Sequence, residues 1–140
     1  MTNPSGRILG IDYGRERIGI SISDPLRIIA SGLEALRNDG NTISRLRELL
    51  DRFEISVIVV GMPLTLKGEK GQKAEEVEKF IEKLRSELNI DVVTVDERLT
   101  SVQAKRTMLM MGTTKKQRRA KGTIDEMASA LILQSYLDSR

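Results

Sequence analysis

At 140 residues, with 39% apolar and 31% charged residues and a net charge of +3, the chain has the size and balance of one soluble globular domain with its own core. It contains no Cys, Trp or His, which excludes a disulfide scaffold, a thiolate nucleophile, imidazole acid–base catalysis and metal sites built on Cys or His. No apolar run approaches the ~20 residues of a membrane span, and the N-terminus lacks a secretory signal, so we expect a single cytoplasmic domain over residues 1–140 and no membrane partner.

Three short strands are predicted at the start of the chain. Residues 7–12 form an apolar run, residues 18–23 alternate apolar with small or polar side chains, and residues 28–36 follow a turn at Asp24. The alternation is the pattern of a half-buried strand. Because the links between these segments are short, we expect an antiparallel meander.

The hydrophobic period then changes to helices alternating with strands. Apolar residues recur on one helical face in residues 43–53 and 77–88. The continuous apolar run at residues 57–60 is typical of a strand buried on both faces, and a further strand is predicted at 92–95.

Two capping-box patterns predict the remaining helices. Thr100 with Gln103 marks the start of one helix, and Thr123 with Glu126 marks the start of the last, which runs to about Leu137. The predicted order is βββ-α-β-α-β-α-α. Such an order implies an α/β fold with a five-stranded mixed sheet, in which the meander joins parallel strands and helices cover both faces.

Three acidic residues stand where predicted elements end or begin. Asp12 closes the first strand, Glu97 follows the 92–95 strand, and Asp125 lies in the first turn of the last helix. Carboxylates from such distant segments can meet at one sheet edge, where a cation would be needed to offset their repulsion, and hard oxygen ligands suit Mg²⁺ or Mn²⁺. Taken singly, each residue also fits a plainer role: a turn cap for Asp12, an ion pair for Glu97, and a favourable helix-dipole contact for Asp125.

Positive charge is concentrated in one part of the chain. Residues 105–121 carry a charge of +7 and contain no acid, whereas the rest of the chain carries −4. This segment indicates a polyanionic partner, although a basic surface loop without such a partner would have the same composition.

Four motifs, in this order, resemble the YqgF/RuvX family over residues 7 to about 137. Those proteins have the ribonuclease H-like fold and are similar to the RuvC Holliday-junction resolvases. The motifs are Leu9-Gly10-Ile11-Asp12-Tyr13-Gly14 with Gly19; Gly61-Met62-Pro63-Leu64 with Gly68 and Gly71; Asp96-Glu97-Arg98-Leu99-Thr100; and Ile124-Asp125 with Ala128, Ala130, Ile132 and Leu133.

The resemblance implies a nuclease that matures the 5′ end of pre-16S rRNA, with Holliday-junction resolution as the older assignment. The family's acidic triad falls on Asp12, Glu97 and Asp125, which would be both the catalytic residues and the metal ligands. Two divalent ions, Mg²⁺ or Mn²⁺, can activate water and stabilise the leaving oxygen of a phosphodiester. We assign Asp12 as the residue that bridges the two ions, with Glu97 and Asp125 each completing one site.

Candidate substrate contacts fall into two groups. A loop of small residues allows close approach of a nucleic-acid backbone, although ordinary turn chemistry explains it equally well; its members are Gly61, Pro63, Gly68 and Gly71. Residues beside the acidic triad or within the basic segment are expected to bind phosphate, with one aromatic ring available for base stacking; they are Tyr13, Gly14, Arg98, Lys115, Lys116, Arg118, Arg119 and Lys121.

Other functions remain open at the level of sequence. The segment from Gly10 to Gly14 also resembles the first phosphate loop of actin-like ATPases and sugar kinases, but those enzymes use two such domains. A non-catalytic RNA-binding assembly factor would need only the basic segment. A resolvase should be a symmetric dimer with a self-complementary surface. The apolar face of residues 77–88 is needed for the core and is not available for such a surface. We therefore favour a monomer that acts on pre-16S rRNA or a pre-ribosomal particle, with a dimer as the alternative.

Overall fold

The computed structural model of the chain describes residues 6–65, 67–97 and 121–139, and it describes the side chains of all of these except residues 121–125. Five strands and three helices occur in this part of the chain. The strands are β1 (Arg7–Asp12), β2 (Arg17–Ser23), β3 (Ala30–Arg37), β4 (Ile55–Met62) and β5 (Asp91–Asp96). The helices are α1 (Thr42–Phe53), α2 (Gln72–Leu88) and α3 (Lys121–Asp138).

The strands form one mixed sheet in the order β3-β2-β1-β4-β5. β1, β2 and β3 pair antiparallel, as predicted from their short connections. β4 lies parallel to both β1 and β5. The carboxyl ends of the three parallel strands therefore meet at one edge of the sheet, which we call the carboxyl edge.

Helices cover both faces of the sheet, as the hydrophobic patterns predicted. Leu9 and Ile11 of β1 belong to the larger core cluster, which also contains the buried residues of α1 and α2. Ile8 belongs to a second cluster with Leu133 and Leu137 of α3. Because neighbouring strand residues point to opposite faces, Asp12 lies on the α3 face.

A row of small residues lets α3 pack directly on the sheet. Gly10, Ser21 and Gly32 are register partners across β1, β2 and β3. The Ser129 hydroxyl of α3 donates a hydrogen bond to the carbonyl of Gly10 at 2.9 Å, and the Ser21 hydroxyl donates to the Ser129 carbonyl at 2.9 Å. A Cβ atom on Gly10 would lie 2.8 Å from Leu133 Cβ, so the helix approaches closely only because this residue is glycine.

Two predicted boundaries are wrong. β3 begins at Ala30 rather than residue 28, because the Asp24 carboxylate accepts hydrogen bonds from the backbone N–H groups of Ile28 and Ile29 at 2.7 and 2.8 Å and holds them in the turn. α3 already includes Lys121, so Thr123 lies inside the helix and does not cap it.

The helix predicted after Thr100 lies outside the described residues. Among the helices that are described, none is both long and apolar enough to cross a membrane.

Candidate active site

Asp12 and Glu97 lie at the same edge of the sheet. Asp12 ends β1 and is half-buried. The parallel pairing of Ile11 with Val60 continues toward the carboxyl edge, so Asp12 and Gly61 are neighbours across β1 and β4. Glu97 follows β5, also at the carboxyl edge, and is half-buried as well.

The Glu97 side chain reaches across β4 and lies over Gly61. A Cβ atom on Gly61 would be 2.6 Å from Glu97 Oε1, 2.8 Å from Glu97 Cγ and 2.6 Å from Ile132 Cδ1. The missing side chain of Gly61 thus provides the space that the Glu97 carboxylate occupies, on the α3 face of the sheet. Glycine at this position has a structural reason that its place in the sequence motif did not reveal.

Asp125 lies on α3, four residues before Ser129. Since Ser129 is hydrogen-bonded to Gly10 and Leu137 packs with Ile8, α3 runs antiparallel to β1, with its N-terminal end toward the carboxyl edge. Residues four apart lie on the same helix face, so the backbone of Asp125 is one turn nearer that edge than Ser129. The structure therefore places Asp12 and Glu97 at the same edge of the sheet and locates Asp125 by its backbone alone.

A complete metal site cannot be assembled from the described side chains alone. No group of three or more acidic side chains that could hold a metal ion occurs among them, and the side chain of Asp125 is not one of those described. The acidic triad and its metal ions therefore stay a prediction.

Tyr13 follows Asp12 but also belongs to the core. Its ring packs against Phe80 of α2, with the ring centroids 4.9 Å apart and the planes tilted by 44°. The turn that begins at Gly14 is tight, because a Cβ atom there would lie 2.3 Å from the Arg17 carbonyl oxygen. The Asn38 amide fixes this turn by donating a hydrogen bond to the Gly14 carbonyl at 2.8 Å.

The predicted substrate loop is shorter than expected. Gly61 lies inside β4 rather than in a loop, because its register with β5 continues to the next residue. Gly68 adopts a φ of 83° and donates a backbone hydrogen bond to the Thr65 carbonyl at 2.8 Å. Gly71 is the N-cap residue of α2, and Pro63 connects β4 to this turn. Turn geometry thus accounts for Gly68, and the contact of the loop with substrate stays a prediction.

Most of the predicted phosphate contacts fall outside the described residues. These are Arg98, Lys115, Lys116, Arg118 and Arg119, and for Lys121 the structure describes only a helical backbone. A second group of basic residues, which no sequence pattern indicated, lies near Tyr13. Arg15 donates two hydrogen bonds to the Glu76 carboxylate of α2, at 2.7 and 3.2 Å. The hydrogen bond from Arg15 and the charges of Arg15, Lys73 and Lys79 lower the pKa of Glu76.

The sheet order, the α3 packing and the acidic carboxyl edge define an α/β fold of the ribonuclease H-like class. Solved structures with this fold include T. thermophilus RuvC in complex with Holliday junction substrate, which has a TM-score of 0.61 and 17% identity and covers 96% of this chain and 97% of its own. The yeast mitochondrial Holliday junction resolvase has a TM-score of 0.57 and 14% identity, with coverage of 98% and 80%. At these identities the likeness concerns the fold alone.

Sequence relatives are closer. A protein of Sulfurihydrogenibium sp. is 42% identical over 134 residues, which cover 94% of this chain and 90% of the relative. A protein of Endomicrobium trichonymphae is 46% identical over 134 residues, with coverage of 94% and 95%. Both are named "Putative pre-16S rRNA nuclease". Residues 6–139 match the sequence model of the RuvX family, described as Holliday junction resolvase, and the chain belongs to this family.

Proposed function

We propose that the chain is a metal-dependent nuclease that hydrolyses phosphodiester bonds in the 5′-end maturation of pre-16S rRNA. The observation that carries the proposal is the position of the Glu97 carboxylate over Gly61, at the same carboxyl edge where Asp12 ends β1. Both carboxylates are half-buried. The names of the relatives supply the substrate class.

The donor chemistry of this edge fits a hard divalent cation. The chain contains no Cys or His, so oxygen is the donor, and carboxylate oxygens are the ligands that Mg²⁺ and Mn²⁺ prefer. Asp12, Glu97 and Asp125 would hold two ions, and bound ions of this kind supply an activated water and charge stabilisation. The protein's own contribution is to fix the carboxylates: the β1–β4 register positions Asp12, and the space above Gly61 positions Glu97.

Junction resolution is the second candidate, favoured by the description of the family model. A resolvase cuts two symmetric strands and needs a self-complementary interface. On α2, the apolar residues Val77, Phe80 and Leu84 are all buried within this chain. In the described part of the chain, the exposed large apolar side chains belong to the Asp24 turn: Leu26, Ile28 and Ile29. The names of the sequence relatives give cleavage of RNA the stronger support, and we propose that the protein acts as a monomer.

A cleavage assay on three substrates tests the proposal. Pre-16S rRNA leader, generic single-stranded RNA and a four-way DNA junction are incubated in parallel with the protein and Mg²⁺, Mn²⁺ or EDTA. We expect metal-dependent cleavage that is fastest on the leader. Faster cleavage of the junction would support the resolvase, and metal-independent binding to RNA without any cleavage would support a non-catalytic assembly factor.

A further inference from the structure

The three lysines of α2 lie on one side of the helix. Lys73, Lys79 and Lys83 fall on the side that lines a cavity of about 410 Å³ and a neighbouring one of about 500 Å³, both next to Tyr13. Glu78 and Glu82 fall on the opposite side and line a separate cavity near β5, together with Lys70 and Arg85.

The turn between β1 and β2 adds cations to the lysine side of α2. Arg15 and Arg17 line the 500 Å³ cavity together with Lys73, Tyr13 and Gly14. We call the whole group the basic edge; its members are Arg15, Arg17, Lys73, Lys79 and Lys83. Arg15 stands in the turn that directly follows β1 and Asp12, so this part of the basic edge lies at the carboxyl edge of the sheet.

Acidic residues only partly neutralise the basic edge. Asp39 lines the smaller cavity but accepts hydrogen bonds from the Asn41 backbone N–H and from Arg45. Glu16 lines the larger cavity. Glu76 lies among the basic residues and holds the Arg15 guanidinium through two hydrogen bonds. A carboxylate bound in this way occupies the position that two phosphate oxygens would take, because guanidinium groups bind both anions through the same pair of N–H donors.

We propose that the basic edge binds the phosphodiester backbone of the nucleic-acid strand next to the position of cleavage, with Glu76 competing with phosphate for Arg15. The partner is identified by its charge and its repeating phosphates, which match a row of cations along one helix. The inference rests on the proposed function for the nature of the substrate. It adds a binding surface that does not depend on the basic segment of residues 105–121.

The test compares two variants that lose the same charge. Lys73→Gln/Lys79→Gln alters the basic edge, and Arg47→Gln/Arg52→Gln alters the exposed surface of α1, where Arg47 bonds to the Glu87 carbonyl and Arg52 lies over the Phe53 ring. Binding of a fluorescent single-stranded RNA, and of a DNA of the same sequence, is measured in EDTA between about 50 and 300 mM salt. For a single strand, each phosphate contact contributes about 0.7 to the steepness of the plot of log association constant against log salt concentration. Lys73→Gln/Lys79→Gln should therefore be less steep than the parent by about 1.4, and Arg47→Gln/Arg52→Gln should be as steep as the parent. Equal losses from both variants, or no loss from the first, would overturn the proposal.

Glu76→Gln provides a second measurement on a protein that keeps all its cations. Releasing Arg15 from the carboxylate should tighten binding severalfold and steepen the slope, and weaker binding would count against the proposal. Urea unfolding confirms that each variant is folded. The cleavage assay separates the two proposals. If Lys73→Gln/Lys79→Gln loses the predicted slope but the parent never cleaves, the nuclease is refuted and the binding surface stands. If the parent cleaves but both double variants have the same salt dependence as the parent, only the binding surface is refuted.

Discussion

At the scale of single residues, the candidate site depends on one glycine and the carboxylate above it. Gly61 is buried in β4, and the atoms closest to its missing Cβ belong to Glu97 and Ile132. These atoms are the ends of long side chains, which can move without disturbing the backbone. A methyl group at this position should therefore displace the Glu97 carboxylate more than it disturbs the fold.

We expect Gly61→Ala to lower the rate of metal-dependent cleavage by roughly 10- to 100-fold, because a displacement of about 1 Å in a catalytic group has effects of this size. The free energy of unfolding should fall by no more than roughly 1–3 kcal/mol. Gly40→Ala is the matched control, since a Cβ there meets no atom within 4 Å. Cleavage by Gly61→Ala at the parent's rate would show that the position of Glu97 is unimportant.

A second residue-scale prediction concerns Asp24, whose carboxylate organises the turn before β3. The backbone N–H groups of Ile29 and Ile28 donate hydrogen bonds to it and lower its pKa. Because the pKa of Asp24 is lower in the folded protein than in the unfolded chain, its carboxylate stabilises the fold. This stabilisation is complete above the unfolded pKa of about 3.9, and it is lost as the pH falls through the lower pKa of the folded state.

Thermal unfolding of the parent and of Asp24→Asn between about pH 6 and pH 2 checks this sign. The parent should be the more stable protein near pH 6, and its advantage should shrink as acid protonates Asp24. An advantage that stayed constant down to pH 2 would mean that the carboxylate charge does not stabilise the turn.

At the scale of elements, the packing of α3 on the sheet decides where Asp125 lies. Contact requires the row of Gly10, Ser21 and Gly32 beneath the helix, and a Cβ on Gly32 would lie 2.9 Å from Glu126 Cβ. At this contact the Ser21 hydroxyl donates a hydrogen bond to the Ser129 carbonyl, and both serines are fully buried. These contacts fix both the position of α3 and its rotation about its own axis. The proposed site requires both, because they determine whether Asp125 faces the carboxyl edge.

Gly10→Ala should lower the free energy of unfolding by roughly 3 kcal/mol or more. The new methyl group would lie 2.2 Å from the Ser21 hydroxyl, 2.8 Å from Leu133 Cβ and 3.3 Å from the Ser129 carbonyl oxygen. These atoms lie on or near the backbone of packed elements and cannot move aside cheaply. Urea unfolding measures the change, again with Gly40→Ala as the reference. A free energy of unfolding equal to that of the parent would refute the close packing of α3.

At the scale of the whole molecule, patterns within single segments were enough to predict the sheet and its covering. Short links between apolar runs predicted the meander, and the change to a helical period predicted α1 and α2. β3 started later than predicted because a side-chain contact from Asp24 overrode the apolar pattern at Ile28 and Ile29. Local propensity does not contain that information.

The features that position the candidate site could not be obtained in the same way. Gly61 meets Glu97 only through the register of β4 with β5, and Gly10 meets Ser21 and Ser129 only through the pairing of strands and the docking of α3. Each contact joins residues that are remote in sequence. The basic edge could not be predicted either, because its lysines are interleaved with acids along the chain and come to lie on one side only once α2 is wound into a helix.

The proposed activity requires the carboxylates at the carboxyl edge to hold divalent ions for phosphodiester hydrolysis. Single-turnover cleavage of the pre-16S rRNA leader in Mg²⁺ tests it directly, with the parent compared to Asp12→Asn and to Asp51→Asn, an equivalent change on the exposed surface of α1. The account predicts that Asp12→Asn binds the leader as tightly as the parent yet cleaves it at least about 100-fold more slowly, while Asp51→Asn matches the parent in both. Cleavage by Asp12→Asn at the parental rate would contradict the account.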